Sequence, residues 1–183
     1  CKKLIDSCKQ YNNNNCNLQR IGFSGGEPFL RLDFICEISK YTVNNDLLFD
    51  RLMTNGVWWK TENELTEALQ KLYDSGFDGK FGLSYDSFHN QDTSKIYTFM
   101  HHVYKIFNCV DCIEILWVCP LFDKEQKKLD KLCSKKFYQI QKKLCKEFGK
   151  INLKIFKFNQ SFEYNPENKK TSQNSLLSSS FSH

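Results

Sequence analysis

The sequence has no long hydrophobic run. None of its apolar stretches approaches the roughly 18 consecutive residues that span a membrane. No charged segment followed by an apolar one opens the chain, so a secretory leader is not expected. The expectation is a cytoplasmic chain with no membrane partner. Arginine, the better bidentate reader of phosphate and guanine, is scarce. There is no internal repeat of the solenoid kind. The first residue is Cys1 rather than Met, as expected of a chain that begins inside a longer protein.

What is present fits one domain. The chain has 183 residues, with 16 Phe, 8 Tyr and 3 Trp, enough for a sizeable core. Its net charge is +5, and the excess gathers in Lys124–Lys150, which holds ten lysines against Glu125, Asp130 and Glu147. Such a face attracts nucleic acid or acidic partners. Here the lysines alternate with apolar residues at helical spacing, so a solvated helix face is the expectation and nucleic acid is not the expected partner. The nine cysteines are odd in number and irregular in spacing, which suits reduced thiols better than a disulfide framework.

Periodicity divides residues 1–160 into strands and helices. Strands are expected at Gln19–Ser24, Leu47–Met53, Lys80–Tyr85, Ile113–Val118 and Ile151–Phe158. Helical stripes run through Phe34, Ile35, Ile38 and Tyr41, then through Leu65, Ala68, Leu69 and Leu72. They continue through Ile96, Phe99, Met100, Val103 and Phe107. The last runs through Leu129, Leu132, Cys133, Phe137, Ile140, Leu144 and Phe148. Thr61-Glu62-Asn63-Glu64 has the form of a capping box, and Gly76 stands where a helix stops. Single strands alternating with helices mean an α/β domain with a parallel sheet. Residues 161–183 are polar and Ser-rich, and a disordered tail is expected there.

Ligands of parallel α/β sheets bind at the carboxyl ends of the strands. Three expected strand ends carry unusual residues: Gly25-Gly26-Glu27-Pro28, Thr54-Asn55-Gly56 and Ser84-Tyr85-Asp86. Paired glycines allow positive φ and bring backbone carbonyls close to a ligand. Glu27 adds a carboxylate, and Pro28 rigidifies the exit. An acceptor-only cradle of this kind suits an ammonium group; a phosphate would need bare N–H donors. The plain alternative is an ordinary strand-to-helix turn.

Phe23-Ser24-Gly25-Gly26-Glu27-Pro28-Phe29-Leu30 resembles the GGEP motif of radical S-adenosylmethionine (SAM) enzymes, and residues 1–160 resemble their core. The resemblance implies a partial (βα)6 TIM-like barrel, truncated at its N-terminus. It implies SAM as cofactor, held at Gly25, Gly26, Glu27, Pro28, Thr54, Asn55, Ser84 and Asp86, with the ammonium end at the glycines and the ribose near Asp86. It also implies a 4Fe-4S cluster, a 5′-deoxyadenosyl radical that abstracts hydrogen, a peptide or small-molecule substrate, and an electron donor such as a flavodoxin or ferredoxin. The family's cluster loop is Cys-x3-Cys-x2-Cys. Cys1, Cys8 and Cys16 are instead separated by six and seven residues, so the loop is expected upstream, with Cys1 the one candidate ligand. Two other readings stay open: a SAM-binding or structural barrel without a cluster, and a basic nucleic-acid-associated module.

Among the remaining residues, Cys109-x2-Cys112 with Cys119 reads as structural thiols, with a metal or redox site as the alternative. Cys36, Cys133 and Cys145 fit helix faces as core residues. His89 stands on the loop past the third unusual strand end, as a ligand contact or a polar loop residue in equal measure. His101-His102 should place one ring inside and one outside. Trp58-Trp59 should pack against a neighbouring helix, with a cover over the rim as the alternative.

Overall fold

The computed structural model describes residues 2–3, 5–7, 19–120 and 123–159. Cys1, Cys8, Cys16 and the Ser-rich segment 161–183 lie outside the described residues. Helical residues 2–3 and 5–7 form α1. There follow β1 (Arg20–Phe23), a 3-10 turn (Pro28–Arg31), α2 (Leu32–Val43), β2 (Leu48–Thr54), α3 (Glu62–Asp74), β3 (Lys80–Ser84), α4 (Thr93–Phe107), β4 (Ile113–Cys119), α5 (Lys124–Phe148) and β5 (Lys154–Asn159).

The five strands form one parallel sheet in the order β1-β2-β3-β4-β5. Helix α2 packs on α3, α3 on α4 and α4 on α5, so the helices lie in a row that follows the strands. The expected parallel α/β architecture is present. Closure into a barrel is not: among the described residues β1 and β5 are both free edges.

Local chemistry explains the element ends. Thr61 Oγ1 accepts from Glu64 N–H at 3.2 Å and starts α3. Glu64 reaches back to the N–H of Lys60, one residue before the cap, rather than to that of Thr61 as a capping box requires. Asp92 and Asp123 cap α4 and α5 in the same way. In β2 an extra residue breaks the register: Ile21 pairs with Phe49 but Phe23 with Leu52. This bulge lets Phe49 and Leu52 both enter the core. Phe81, at the sheet's centre, meets Phe77, Phe99 and Phe107 edge-on, with ring centroids 4.9 to 6.0 Å apart.

Several expected core positions are exposed. Phe34 faces out of α2. Leu129 and Leu132 are about half exposed, and burial along α5 is confined to Phe137, Ile140 and Leu144. The reason is length: α5 runs 25 residues against seven in β4, about 37 Å against about 23 Å, so its first turns overhang the sheet. Cys145 is exposed and Cys133 only partly buried, whereas Cys36 is core. Every lysine of Lys124–Lys150 is exposed, as a solvated face requires.

The other face of the sheet carries no helix among the described residues. Arg51, Met53, Ser84, Leu116 and Val118 are only partly covered there, and Phe156 and Phe158 on β5 are exposed. Across Gly82, the guanidinium of Arg51 stands 3.0 Å from buried Glu114 Oε2, though poorly aligned for a hydrogen bond, and stacks 5.3 Å from the Phe156 ring.

Candidate functional site

Parallel pairing brings the carboxyl ends of β1, β2 and β3 side by side. Gly25, Gly26, Thr54, Asn55 and Ser84 line one cavity of about 360 Å³ there, with His89 on its wall. Gly25 and Gly26 have φ of +87° and +51°, and a side chain added at either would meet nothing within 4 Å. The glycines are needed for their backbone conformation, not for space. The turn therefore leaves its backbone open to the cavity.

Glu27 links two strand exits through its carboxylate. Its Oε1 accepts from Thr54 Oγ1 at 2.9 Å and from Phe29 N–H at 3.3 Å, and its Oε2 accepts from Asn55 N–H at 2.9 Å. The carboxylate is largely engaged in joining the exits of β1 and β2. Burial pushes its carboxyl above the usual range, and the hydrogen bonds from Asn55, Thr54 and Phe29 pull it part of the way back. Thr54 Oγ1 in turn accepts from Gly56 N–H at 3.1 Å. Pro28 is buried at the start of the 3-10 turn. Glu27 and Pro28 border a second cavity, of about 530 Å³, between β1 and α2. That space is larger but lined mainly by apolar groups such as Ile21, Ile35 and Ile38; the rim cavity is where polar groups from three strands converge.

Asp86 is buried and faces inward. Its Oδ1 accepts from Phe88 N–H at 2.8 Å and His89 N–H at 3.1 Å, and lies 2.8 Å from His89 Nδ1. Its Oδ2 accepts from Val118 N–H at 3.3 Å, on β4. Gln91 completes the frame: its Nε2 donates to Asn55 O at 3.0 Å and also to Ser84 O, bridging the exits of β2 and β3. Gln126 on α5 donates to Ser87 Oγ at 2.9 Å. The loop after β3 is thus tied to β2, β4 and α5. Periodicity and motif do not reveal Gln91, because a side chain bonding to distant carbonyls leaves no local pattern.

No protein-family model and no curated protein matches the chain. Its chemistry has to be read from its own residues.

Among the described residues no group of three His, Cys, Asp or Glu side chains is placed to hold a metal. Cys109 donates to Asp111 Oδ1 and Cys112 to Cys109 O; both are free thiols, and burial pushes that of Cys112 far up. Lys80 pairs with Asp111 at 2.7 Å beside them. This cluster lies at the opposite ends of the strands from the rim. His101 and His102 are both partly buried, not one in and one out; His101 Nε2 meets Glu147 and His102 Nδ1 meets Thr98 O. Trp58 stacks on Phe29 at 4.4 Å, and Trp59 is buried with its N–H on Gly56 O, so both serve packing.

Proposed function

We propose that this chain is the SAM-binding core of a radical SAM enzyme. The observation that carries the reading is the convergence of Gly25, Gly26, Thr54, Asn55 and Ser84 on one cavity at the exits of three successive parallel strands. Strand order supports the finer fold reading. A doubly wound sheet reverses its order part-way, whereas β1 to β5 follow the sequence, as in a section of a partial (βα)6 barrel.

Backbone acceptors at Gly25 and Gly26 would hold the ammonium end of SAM. The Thr54-Asn55 exit and the Ser84 hydroxyl would face the rest of the molecule. Glu27 and Asp86 act behind these groups, fixing strand ends and loop, rather than as direct ligands. In the full reading, SAM and a 4Fe-4S cluster together supply a 5′-deoxyadenosyl radical for hydrogen abstraction from a peptide or small-molecule substrate, with a flavodoxin or ferredoxin as electron donor. The described residues provide no cluster ligands, so this half rests on the resemblance alone. The same observation favours a second reading, a SAM-binding barrel without a cluster.

Equilibrium dialysis against labelled SAM tests the shared part. Saturable uptake that Gly26→Val weakens about tenfold, the loss of roughly 1.4 kcal/mol of binding, supports it. No saturable uptake, or uptake indifferent to the substitution, overturns it. The coding sequence preceding Cys1 separates the two readings: where it supplies a Cys-x3-Cys-x2-Cys loop, the longer protein, reconstituted anaerobically with iron and sulfide, should release 5′-deoxyadenosine, and SAM uptake by that longer protein without release supports the cluster-free barrel.

A further inference from the structure

We infer that His89 is the proton-transfer residue of the rim cavity, acting on a hydroxyl or ammonium group of a small molecule bound there. The inference does not rest on SAM being the occupant. His89 Nδ1 lies 2.8 Å from Asp86 Oδ1, and the same oxygen accepts the N–H groups of Phe88 and His89. A carboxylate offers only acceptors, so the ring nitrogen facing it carries the hydrogen. In the neutral ring the lone pair is then at Nε2, and His89 is on the cavity wall with Gly25, Gly26 and Ser84. This is the logic by which a buried carboxylate sets the tautomer of a general base and stabilises the imidazolium that forms.

Two features separate the pair from an ordinary loop contact. The Asp86 side chain is wholly buried and also bonded to β4, so it orients the ring from the sheet itself. The loop carrying His89 is held on both sides, by Gln91 to Asn55 O and Ser84 O and by Gln126 to Ser87. A base on a braced loop keeps its aim without reorganisation. In the step itself, an O–H or N–H bond of the bound molecule breaks as the Nε2–H bond forms, and the electron pair stays on that oxygen or nitrogen. The imidazolium charge faces Asp86, and the return of the proton restores the ring.

The test is two-bond ¹H–¹⁵N NMR of the histidine side chains at a pH where the ring is neutral, with diethyl pyrocarbonate labelling read by peptide mass. The expected result is an Nδ1–H tautomer at His89, the reverse of the preference of a free imidazole. His89 should be carbethoxylated, and the reaction should slow about tenfold in Asp86→Asn, the effect of losing one charge-assisted hydrogen bond. An Nε2–H tautomer, a His89 that resists the reagent, or an equal rate in the variant overturns the inference. The tautomer is read on the native protein, so it decides the matter even if Asp86→Asn does not fold. Dialysis against SAM on the same sample reports separately on the cofactor.

Discussion

Thr54 donates its hydroxyl hydrogen to Glu27 Oε1 across 2.9 Å, so a side chain, and not the sheet ladder alone, joins the exits of β1 and β2. Replacing Glu27 with Ala strands buried Thr54 and the N–H of Asn55 without an acceptor. The expected cost is about 2–3 kcal/mol, the scale of lost hydrogen bonds to a charged group. Glu27→Gln keeps one acceptor and costs less. Urea unfolding midpoints at an unchanged slope check both.

The same carboxyl makes stability depend on pH. Burial raises its folded pKa above the ordinary 4.5, so the native state holds the proton to higher pH than the unfolded chain. Its contribution is full below the unfolded value and is lost as pH rises through the folded one. Relative to Glu27→Gln, the native protein should therefore lose stability as pH climbs from about 4.5 toward neutrality. Parallel unfolding series of the two proteins across that range measure the difference, and a gain in its place contradicts the assignment.

Gly26, at φ +51°, meets nothing that would crowd a side chain. Gly26→Ala should cost about 1–2 kcal/mol through backbone strain alone, and Gly26→Asn less, because Asn tolerates the left-handed region. Thermal unfolding ranks the two. Equal losses would mean that contacts, not conformation, demand the glycine.

Arg51 reaches Glu114 by crossing Gly82, where an added Cβ would stand 3.2 Å from the arginine's Cδ. Arg51→Ala leaves a buried carboxylate without its partner and should destabilise by about 2 kcal/mol, less than for a fully buried pair because the arginine is partly exposed. Adding Glu114→Leu should restore most of that. A double-mutant cycle gives the coupling.

Gln91→Leu removes both donors that bridge Asn55 O and Ser84 O. A loss of about 1–2 kcal/mol is expected. On the proposed SAM reading, uptake of SAM should weaken in the same protein, because the exits of β2 and β3 would no longer be held together. Unfolding and dialysis on one preparation give both values.

Much of this was legible in the residue pattern. Strand ends at Gly25, Thr54 and Ser84 punctuate apolar runs, and parallel pairing then had to bring them to one rim. The bulge at β2 was not legible: with Phe49 and Leu52 both inward, alternation fails, and only the pairing with β1 explains why. The overhang of α5 was hidden because helical periodicity reports a face but not how much sheet lies beneath it. The hydrogen bonds of Glu27 and Asp86 to the N–H groups of Asn55 and Val118 were not legible, since a carboxylate's partners on distant strands are set by tertiary structure.

The order β1-β2-β3-β4-β5 also has a kinetic consequence. Among the described residues each strand pairs only with strands adjacent to it in the chain, so none of these pairings waits for a distant segment to be synthesised. Each pairing closes a single βα unit, the shortest separation a parallel sheet allows, although such closures are slower than helix or hairpin formation. The sheet can assemble one βα unit at a time as the chain emerges from the ribosome, each finished strand templating the next. Because the rim cavity draws on the exits of β1 to β3, it can be complete before β5 is made.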